Sequence, residues 1–263
     1  MESVSQLKEK LKLAETWEPW MADLEKDPRK SVQTLVAAWH RRKKLRESLV
    51  HNHQLKERFD GSFKENTANK VAGIDEAGRG PIAGPVVTAA VILPEDCTEL
   101  LGLDDSKKIT KSKRERFAEI IKKLAVSYAV HIQSSEEIDR HNIYQATKLS
   151  MAKAAAALSV QPDVVLADAM QLDLAVPCHS VIKGDAKSLC IAAASILAKT
   201  ERDNIMERYA EEYPLYGFEK HAGYGTKEHV AALELHGPCL IHRKTFEPVK
   251  TILAKQCSVN ESQ

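Results

Sequence analysis

The chain has 263 residues, 43% hydrophobic and 29% charged, enough for one large domain or for a domain with a sizeable appendage. Lysine plus arginine (38) nearly balances aspartate plus glutamate (37), which excludes a global pull toward nucleic acid and leaves any such affinity to local patches. Five scattered cysteines without a Cys-x-x-Cys pair exclude a disulfide framework and a zinc site, and no run approaches transmembrane length, so a cytoplasmic protein without a membrane partner is expected.

Residues 1–70 read as a helical extension. Leu7, Leu11 and Ala14 recur at helical spacing, Asp27-Pro28 suits a helix start, and Val32, Leu35, Val36 and Trp39 follow one apolar helix face. Glycine is absent until Gly61, and Asp60-Gly61-Ser62 is expected to open a polar linker to about residue 70. The basic run Arg41-Arg42-Lys43-Lys44, with Arg46 beyond it, fits either a solvated helix end or a patch that follows phosphates, so the extension is a candidate for substrate binding.

From Val71 the pattern is mixed α/β. Residues 71–74 read as a buried strand and 84–93 as the next, with Asp75-Glu76 and a Gly78-Arg79-Gly80 turn between them. Neighbouring strand side chains face opposite ways, so both acids serve one site only if the strand ends or bends there. A helix over 111–124, a strand over 126–133 and a helix over 141–158 follow, then a strand over 163–168 closed by Asp168. A fifth strand, 179–183, runs into Gly184-Asp185. A long helix over 188–213 must bury its alanine-rich half, and a Gly223-Tyr224-Gly225 loop precedes the last helices.

Three strand ends thus deliver carboxylates: Asp75 with Glu76, Asp168, and Asp185. Strands of one sheet lie side by side, so these acids are expected to share an edge, where they would repel one another unless cations sat among them. Two divalent ions about 4 Å apart suit in-line phosphoryl displacement, and hard cations take carboxylate oxygens. A glycosidase would want an aromatic cleft, and aromatics are only 5% of the chain; no phosphate-binding P-loop or Gly-x-Ser-x-Gly elbow is present.

Taken together, Gly73-Ile-Asp75-Glu76-Ala-Gly78-Arg79-Gly80-Pro81, Asp105-Ser106-Lys107-Lys108, Lys183-Gly184-Asp185, Ile191-Ala-Ala-Ala-Ser195-Ile-Leu-Ala-Lys199, Gly223-Tyr224-Gly225-Thr226 and His242-Arg243-Lys244-Thr245-Phe246 closely resemble bacterial ribonuclease HII, the type 2 ribonuclease H. The resemblance covers about residues 70–250 and does not extend to the helical segment before it. It implies a ribonuclease H-like α/β fold, a central five-stranded mixed sheet flanked by helices, for a catalytic part over 71–263. It implies a metal-dependent endonuclease that cuts the RNA strand of RNA–DNA hybrids, and single ribonucleotides in duplex DNA, on the 5′ side of the ribose. The products would carry 3′-hydroxyl and 5′-phosphate ends.

By the same resemblance Asp75, Glu76, Asp168 and Asp185 are the catalytic and metal-holding carboxylates, with Mg²⁺ or Mn²⁺ as cofactor. Gly78, Arg79 and Gly80 match the loop whose backbone reads the 2′-hydroxyl, and Tyr224 matches the tyrosine that stacks on the next, deoxy sugar. Lys107, Lys183, Lys187 and Ser188 are candidate phosphate contacts. Ala169 departs from the glycine expected after the third carboxylate; alanine holds the same backbone unless φ must be positive. His221 and His242 read as partners of backbone or phosphate rather than metal ligands.

Two alternatives remain at this level. One is a hybrid nuclease of the ribonuclease HIII type, whose extra N-terminal part would be β-containing; the other is a catalytically silent hybrid-binding protein, which would be expected to have lost one of the four acids. Nothing demands a dimer, and a monomer is expected.

Overall fold

The computed structural model describes residues 2–104, 106 and 108–260. Its contacts divide into two compact units, Met1–Gln54 and Leu55–Gln263.

In the first unit α1 (Val4–Leu13) opens with a capping box: the Ser3 hydroxyl accepts from the Gln6 amide, and the Gln6 side chain accepts from the Ser3 amide. With α2 (Met21–Glu25) and the first part of α3 (Lys30–Gly61) it closes a small core of Leu7, Leu11, Met21, Val32, Val36 and Trp39. The Trp39 indole N–H donates to the Ala14 carbonyl at 2.9 Å. Arg42 donates to the carbonyls of Leu11 and Ala14, acceptors left without a helical partner at the end of α1. Arg46 pairs with Glu15 at 3.3 Å. Part of the basic run therefore serves this unit's own structure.

Helix α3 extends to Gly61, so Asp60 stands in its last turn rather than at the head of a linker. The rest of the second unit follows as β1 (Val71–Ala77), β2 (Val86–Ile92), α4 (Lys111–Leu124), β3 (Ser127–Gln133), α5 (Ser135–His141) and α6 (Ile143–Ala156). Then come β4 (Val164–Asp168), β5 (Cys178–Val181), α7 (Gly184–Lys187), α8 (Leu189–Glu212), α9 (Phe218–His221), α10 (Lys227–His236) and α11 (Val249–Asn260). The five strands form one sheet in the order β3-β2-β1-β4-β5. β3, β2 and β1 pair antiparallel, whereas β1, β4 and β5 are parallel neighbours. This is the expected mixed sheet.

Strand alternation sorts the core into two layers. Ala89 and Val91 of β2 face the cluster built by α4 and α8, including Phe117, Ile121, Ala193 and Leu197. Ala90 and Ile92 face α6, against Met151 and Ala154. The small residues of α8 let its backbone settle on β1. A Cβ built on Gly73 would stand 2.1 Å from the Cys190 carbonyl carbon, so only glycine fits there.

The expected break between Asp75 and Glu76 does not occur. β1 pairs in register through Ala77, with Asp75 opposite Ala89 and Glu76 opposite Thr88. Cys97, Cys178, Cys190 and Cys239 are free thiols. Among the described residues no helix is long and apolar enough to cross a membrane.

Candidate active site

The parallel order β1-β4-β5 decides where the acids meet, because parallel neighbours end on the same edge of a sheet. Asp75 and Glu76 stand near the end of β1, Asp168 is the last residue of β4, and Asp185 follows β5 in α7. All four line one cavity of about 540 Å³ together with Gly78, Arg79, Gly80 and Tyr224. Ser195, Lys199 and Arg202 reach it from α8.

Asp75 is 5% exposed. Burial, and after it the charges of Glu76 and Asp168, hold its carboxyl well above the usual carboxylate range. Hydrogen bonds from Ser195 and from the Glu76 amide, the latter at 2.7 Å, oppose the shift. Glu76 accepts from Arg79 at 3.4 Å. Asp168 is fixed by the main chain: the Gly184 amide donates to its Oδ1 at 2.7 Å. A Cβ on Gly184 would come 2.6 Å from Ile191 Cδ1 and 3.2 Å from that same oxygen, which explains a glycine immediately before Asp185.

Among the described residues no three acidic, histidine or cysteine side chains are grouped closely enough to ligate one ion together. The donor chemistry nonetheless suits a hard cation, since magnesium is commonly held by one or two carboxylates with water and substrate phosphate completing the shell. Four oxygen-donor side chains on one cavity, one of them buried under repulsion from its neighbours, fit ions held in that way.

The loop after β1 is clamped from behind by two buried arginines. Arg243, 0% exposed, donates through Nη2 to the Gly78 carbonyl at 2.5 Å, through Nη1 to Arg79 at 2.9 Å and through Nε to Gly84 at 3.0 Å. Arg202 donates to the carbonyls of Pro85 at 3.0 Å and Ala83 at 3.3 Å. A trans peptide sets its C=O and the following N–H on opposite sides. Drawing the carbonyls of Gly78 and Arg79 toward Arg243 therefore turns the amides of Arg79 and Gly80 the other way. Gly78 needs its positive φ of 96°, and a Cβ there would lie 2.0 Å from Arg202 Nε. Burial pulls Arg202 down to about 10; for Arg243 burial and then the Arg202 charge pull it to about 9.

Tyr224 is set against this loop. The nearest atom to a Cβ built on Gly80 is Tyr224 Cε1 at 3.5 Å, and the Ile82 amide donates to the Gly223 carbonyl at 2.9 Å. Behind Tyr224, His229 and His242 are hydrogen-bonded to each other and His221 stacks on His229, and the tautomers follow from their partners. His229 Nδ1 meets the Tyr224 carbonyl at 2.9 Å and so carries the proton, leaving Nε2 to accept from His242 Nε2–H at 3.0 Å. His242 Nδ1 then accepts from the Cys239 amide at 3.0 Å. His221 donates from Nε2 to the Tyr216 carbonyl and accepts the Gly223 amide at Nδ1. Of the backbone or phosphate partners expected for His221 and His242, the structure shows backbone ones for both, and for His242 the His229 ring as well.

Burial, the largest cause for both, pushes His229 and His242 down to about 4. The unfolded chain takes up these protons near the ordinary histidine value of about 6.5. Between the two values the unfolded state binds more protons, so the contribution of these histidines to stability rises with pH across that window and is flat above it. Between pH 7 and pH 4.5 thermal melts should therefore show the wild type losing at least about 1 kcal/mol, or about 2–4 °C, relative to His229→Gln.

The remaining expected contacts are less uniform. Lys183 and Lys187 are exposed beside Asp185 but do not line the cavity, and Lys183 adopts φ 57° as the N-cap of α7. Ser188 is fully buried, and its hydroxyl caps α8 by accepting the Ile191 amide at 3.1 Å, so it is committed to the helix rather than turned to a phosphate. Asp105 and Lys107 lie outside the described residues. Ala169 has φ 45°, the condition under which an alanine in place of glycine is strained, by about 1 kcal/mol. Arg202, not among the expected site residues, carries a signal legible in the sequence: it falls on the buried stripe of α8 with Ala198, Ile205 and Met206.

Comparisons with known proteins agree with this architecture. A family model described as ribonuclease HII matches residues 72–249, and one described as ribonuclease HII N-terminal domain matches residues 3–64. A Bacillus licheniformis protein named ribonuclease HII is 50% identical over 249 residues, which is 94% of this chain and 97% of that protein. The crystal structure of a ribonuclease H2 from Pyrococcus horikoshii superposes with a TM-score of 0.62 at 28% identity, covering 71% of this chain and 98% of that one. A Bst-RNase HIII structure, 18% identical with a TM-score of 0.55 over 78% of this chain and 72% of that one, shares the fold.

Proposed function

Because the chain belongs to the ribonuclease HII family, as the match over 72–249 and the 50% identical relative establish, we propose that it incises ribonucleotides in duplex nucleic acid. The protein is an endonuclease of the ribonuclease H class. Its substrates in this reading are the RNA strand of RNA–DNA hybrids and DNA duplexes carrying single ribonucleotides, cut on the 5′ side of the ribose in the cytoplasm by a monomer. One observation carries the reading: the four acids, the Gly78–Gly80 loop and the Tyr224 ring line a single cavity.

Asp75, Glu76, Asp168 and Asp185 would hold the divalent ions, Mg²⁺ or Mn²⁺. When bound, such ions supply a nucleophilic water and neutralise charge on the leaving 3′-oxygen. The chain's own residues do the positioning. The Arg79 and Gly80 amides, turned away from the Arg243 clamp, suit hydrogen bonds to a ribose 2′-hydroxyl, which is what separates RNA from DNA at a site. The Tyr224 ring, half exposed beside Gly80, suits stacking on the next sugar, where a 2′-hydroxyl would crowd it. Rupture of the P–O3′ bond leaves a 3′-hydroxyl on the upstream strand and a 5′-phosphate on the ribonucleotide.

The test is cleavage of a DNA duplex with one ribonucleotide beside a hybrid with four, each with Mg²⁺ or Mn²⁺. A single 5′ cut is expected on the first substrate. Tyr224→Ala should lower kcat/KM there by about tenfold or more, equivalent to about 1.4 kcal/mol, and affect the longer hybrid less. Cleavage of the longer hybrid alone would restore the HIII-type reading. Binding without cleavage would make the protein a reader.

A further inference from the structure

The fourth carboxylate stands on a very short element. α7, which carries Asp185, is four residues long, starts from a left-handed Lys183 and has no side-chain cap. A contact to it comes from the end of α3, within the segment matched by the family's N-terminal domain and outside the catalytic match. There, in the same compact unit as the cavity, Phe59 and Phe63 pack on Val71, Val164, Leu166 and Val181.

Two charged side chains one turn apart reach inward from this anchor. Lys56 is 5% exposed, and its ammonium donates to the Asp185 carbonyl at 2.9 Å and the Leu103 carbonyl at 3.2 Å, with Asp104 Oδ1 at 3.5 Å. Asp60, 7% exposed, accepts through Oδ2 from the amides of Leu189 at 2.9 Å and Cys190 at 3.0 Å, the first two residues of α8. Burial disfavours both charges, lowering the lysine and raising the aspartate. An apolar pair would fill this space without that penalty but would leave the carbonyls of Leu103 and Asp185 and the first amides of α8 unanswered. The acceptors of Lys56 lie on the loop before Ser106 and on α7, so one ammonium sets the spacing of both.

We propose that Lys56 and Asp60 are positioning residues for the active site: the end of the N-terminal region fixes the place of Asp185 and of α8 behind it. The proposal rests on the reading of Asp185 as a metal-holding carboxylate. It gives part of the N-terminal family segment a task in catalysis that does not depend on binding substrate.

The test uses the full chain with Lys56→Met, which keeps the buried stem and removes the donors. Hydrogen exchange at the Ala186 and Ser188 amides, which bond the Lys183 and Gly184 carbonyls, should quicken by about tenfold. Mn²⁺ affinity, read by electron paramagnetic resonance on the free protein, should fall about tenfold. With Mn²⁺ saturating, kcat should drop by about tenfold or more while KM for the hybrid stays within about twofold, because the displaced group acts on the reacting centre. Asp60→Leu should follow the same pattern, and Asp60→Asn, which keeps a side-chain carbonyl for the two amides, should recover most of it. Should Lys56→Met not fold, Lys56→Arg, whose planar head cannot meet the same three acceptors, is read by the same exchange and Mn²⁺ measurements.

Unchanged exchange and Mn²⁺ affinity with a lowered melting temperature would overturn the proposal and reduce the pair to a staple of the fold. A wild type that neither cleaves nor binds Mn²⁺ would instead overturn the active-site reading, and the exchange rates would then decide the tether by themselves.

Discussion

Asp75→Asn should abolish cleavage and, in the presence of a chelator at neutral pH, melt at a higher temperature than the wild type. Asp75 is buried, and the charges of Glu76 and Asp168 add to the effect of burial in raising its carboxyl. A carboxyl raised in the folded state destabilises that state as pH climbs from the ordinary value near 3.8 through the folded value, because over that interval the unfolded chain has already released the proton. Asparagine removes the group from this linkage. The gain should vanish on acidification below the unfolded value, and each 1 kcal/mol would read as about 2–4 °C. If Asp75 holds an ion as proposed, its loss should lower kcat on the order of 10³-fold or more. Adding Mn²⁺ should raise the melting temperature of the wild type and leave the variant nearly unmoved, since an ion stabilises only a state that binds it. Calorimetry with and without the ion checks both halves, and a variant less stable than the wild type in chelator would show that the Asp75 charge is compensated in the free protein.

The second large effect is expected at Arg243. Arg243→Lys retains a cation but replaces a three-donor fork with a single head, and so cannot hold the carbonyls of Gly78, Arg79 and Gly84 together. Each buried carbonyl left without a donor costs about 1–3 kcal/mol, so the melting temperature should fall by several degrees. The functional loss should exceed the structural one. Once the two carbonyls are released, the Arg79 and Gly80 amides lose their fixed direction, and kcat/KM on a single-ribonucleotide duplex should fall by about 100-fold. Affinity for an all-DNA duplex, which offers no 2′-hydroxyl, should stay within about threefold. Equal losses on both duplexes, measured well below the melting temperature, would mean that Arg243 supports the fold without aiming the loop.

The parts of this site that could be read from the sequence are those whose signal is local. An apolar run closed by an acid marks a strand end, and it does so for Asp168; β5 stops at Val181, so Asp185, expected at the next strand end, stands instead in α7. The same signal misleads at Asp75 and Glu76, because pairing with β2 carries β1 past both of them and no turn separates the pair. That the acids share an edge depends on β1, β4 and β5 being parallel neighbours, a fact of long-range pairing. The contacts of Arg202, Arg243 and Lys56 escape for another reason, even where, as at Arg202, burial itself could be read from the helix stripe. Apart from the Asp104 carboxylate near Lys56, their partners are main-chain carbonyls, and every residue carries one, so no complementary residue type marks those contacts in advance. Ser188 reads as a phosphate contact beside the Lys183-Gly184-Asp185 motif, but a hydroxyl at that position is equally a helix cap, and the first turn of α8 takes it.

Gly73 has a consequence for what mutation can reach. The α8 backbone rests on it so closely that no side chain fits between them, and no residue is smaller. The separation between β1, which bears Asp75 and Glu76, and α8, which bears Ser195, Lys199 and Arg202, is already at its floor. Substitution at this position can only widen the gap. The distance across the cavity between those two sets of groups can drift in one direction, and in a lineage that keeps the fold every such drift loosens the site.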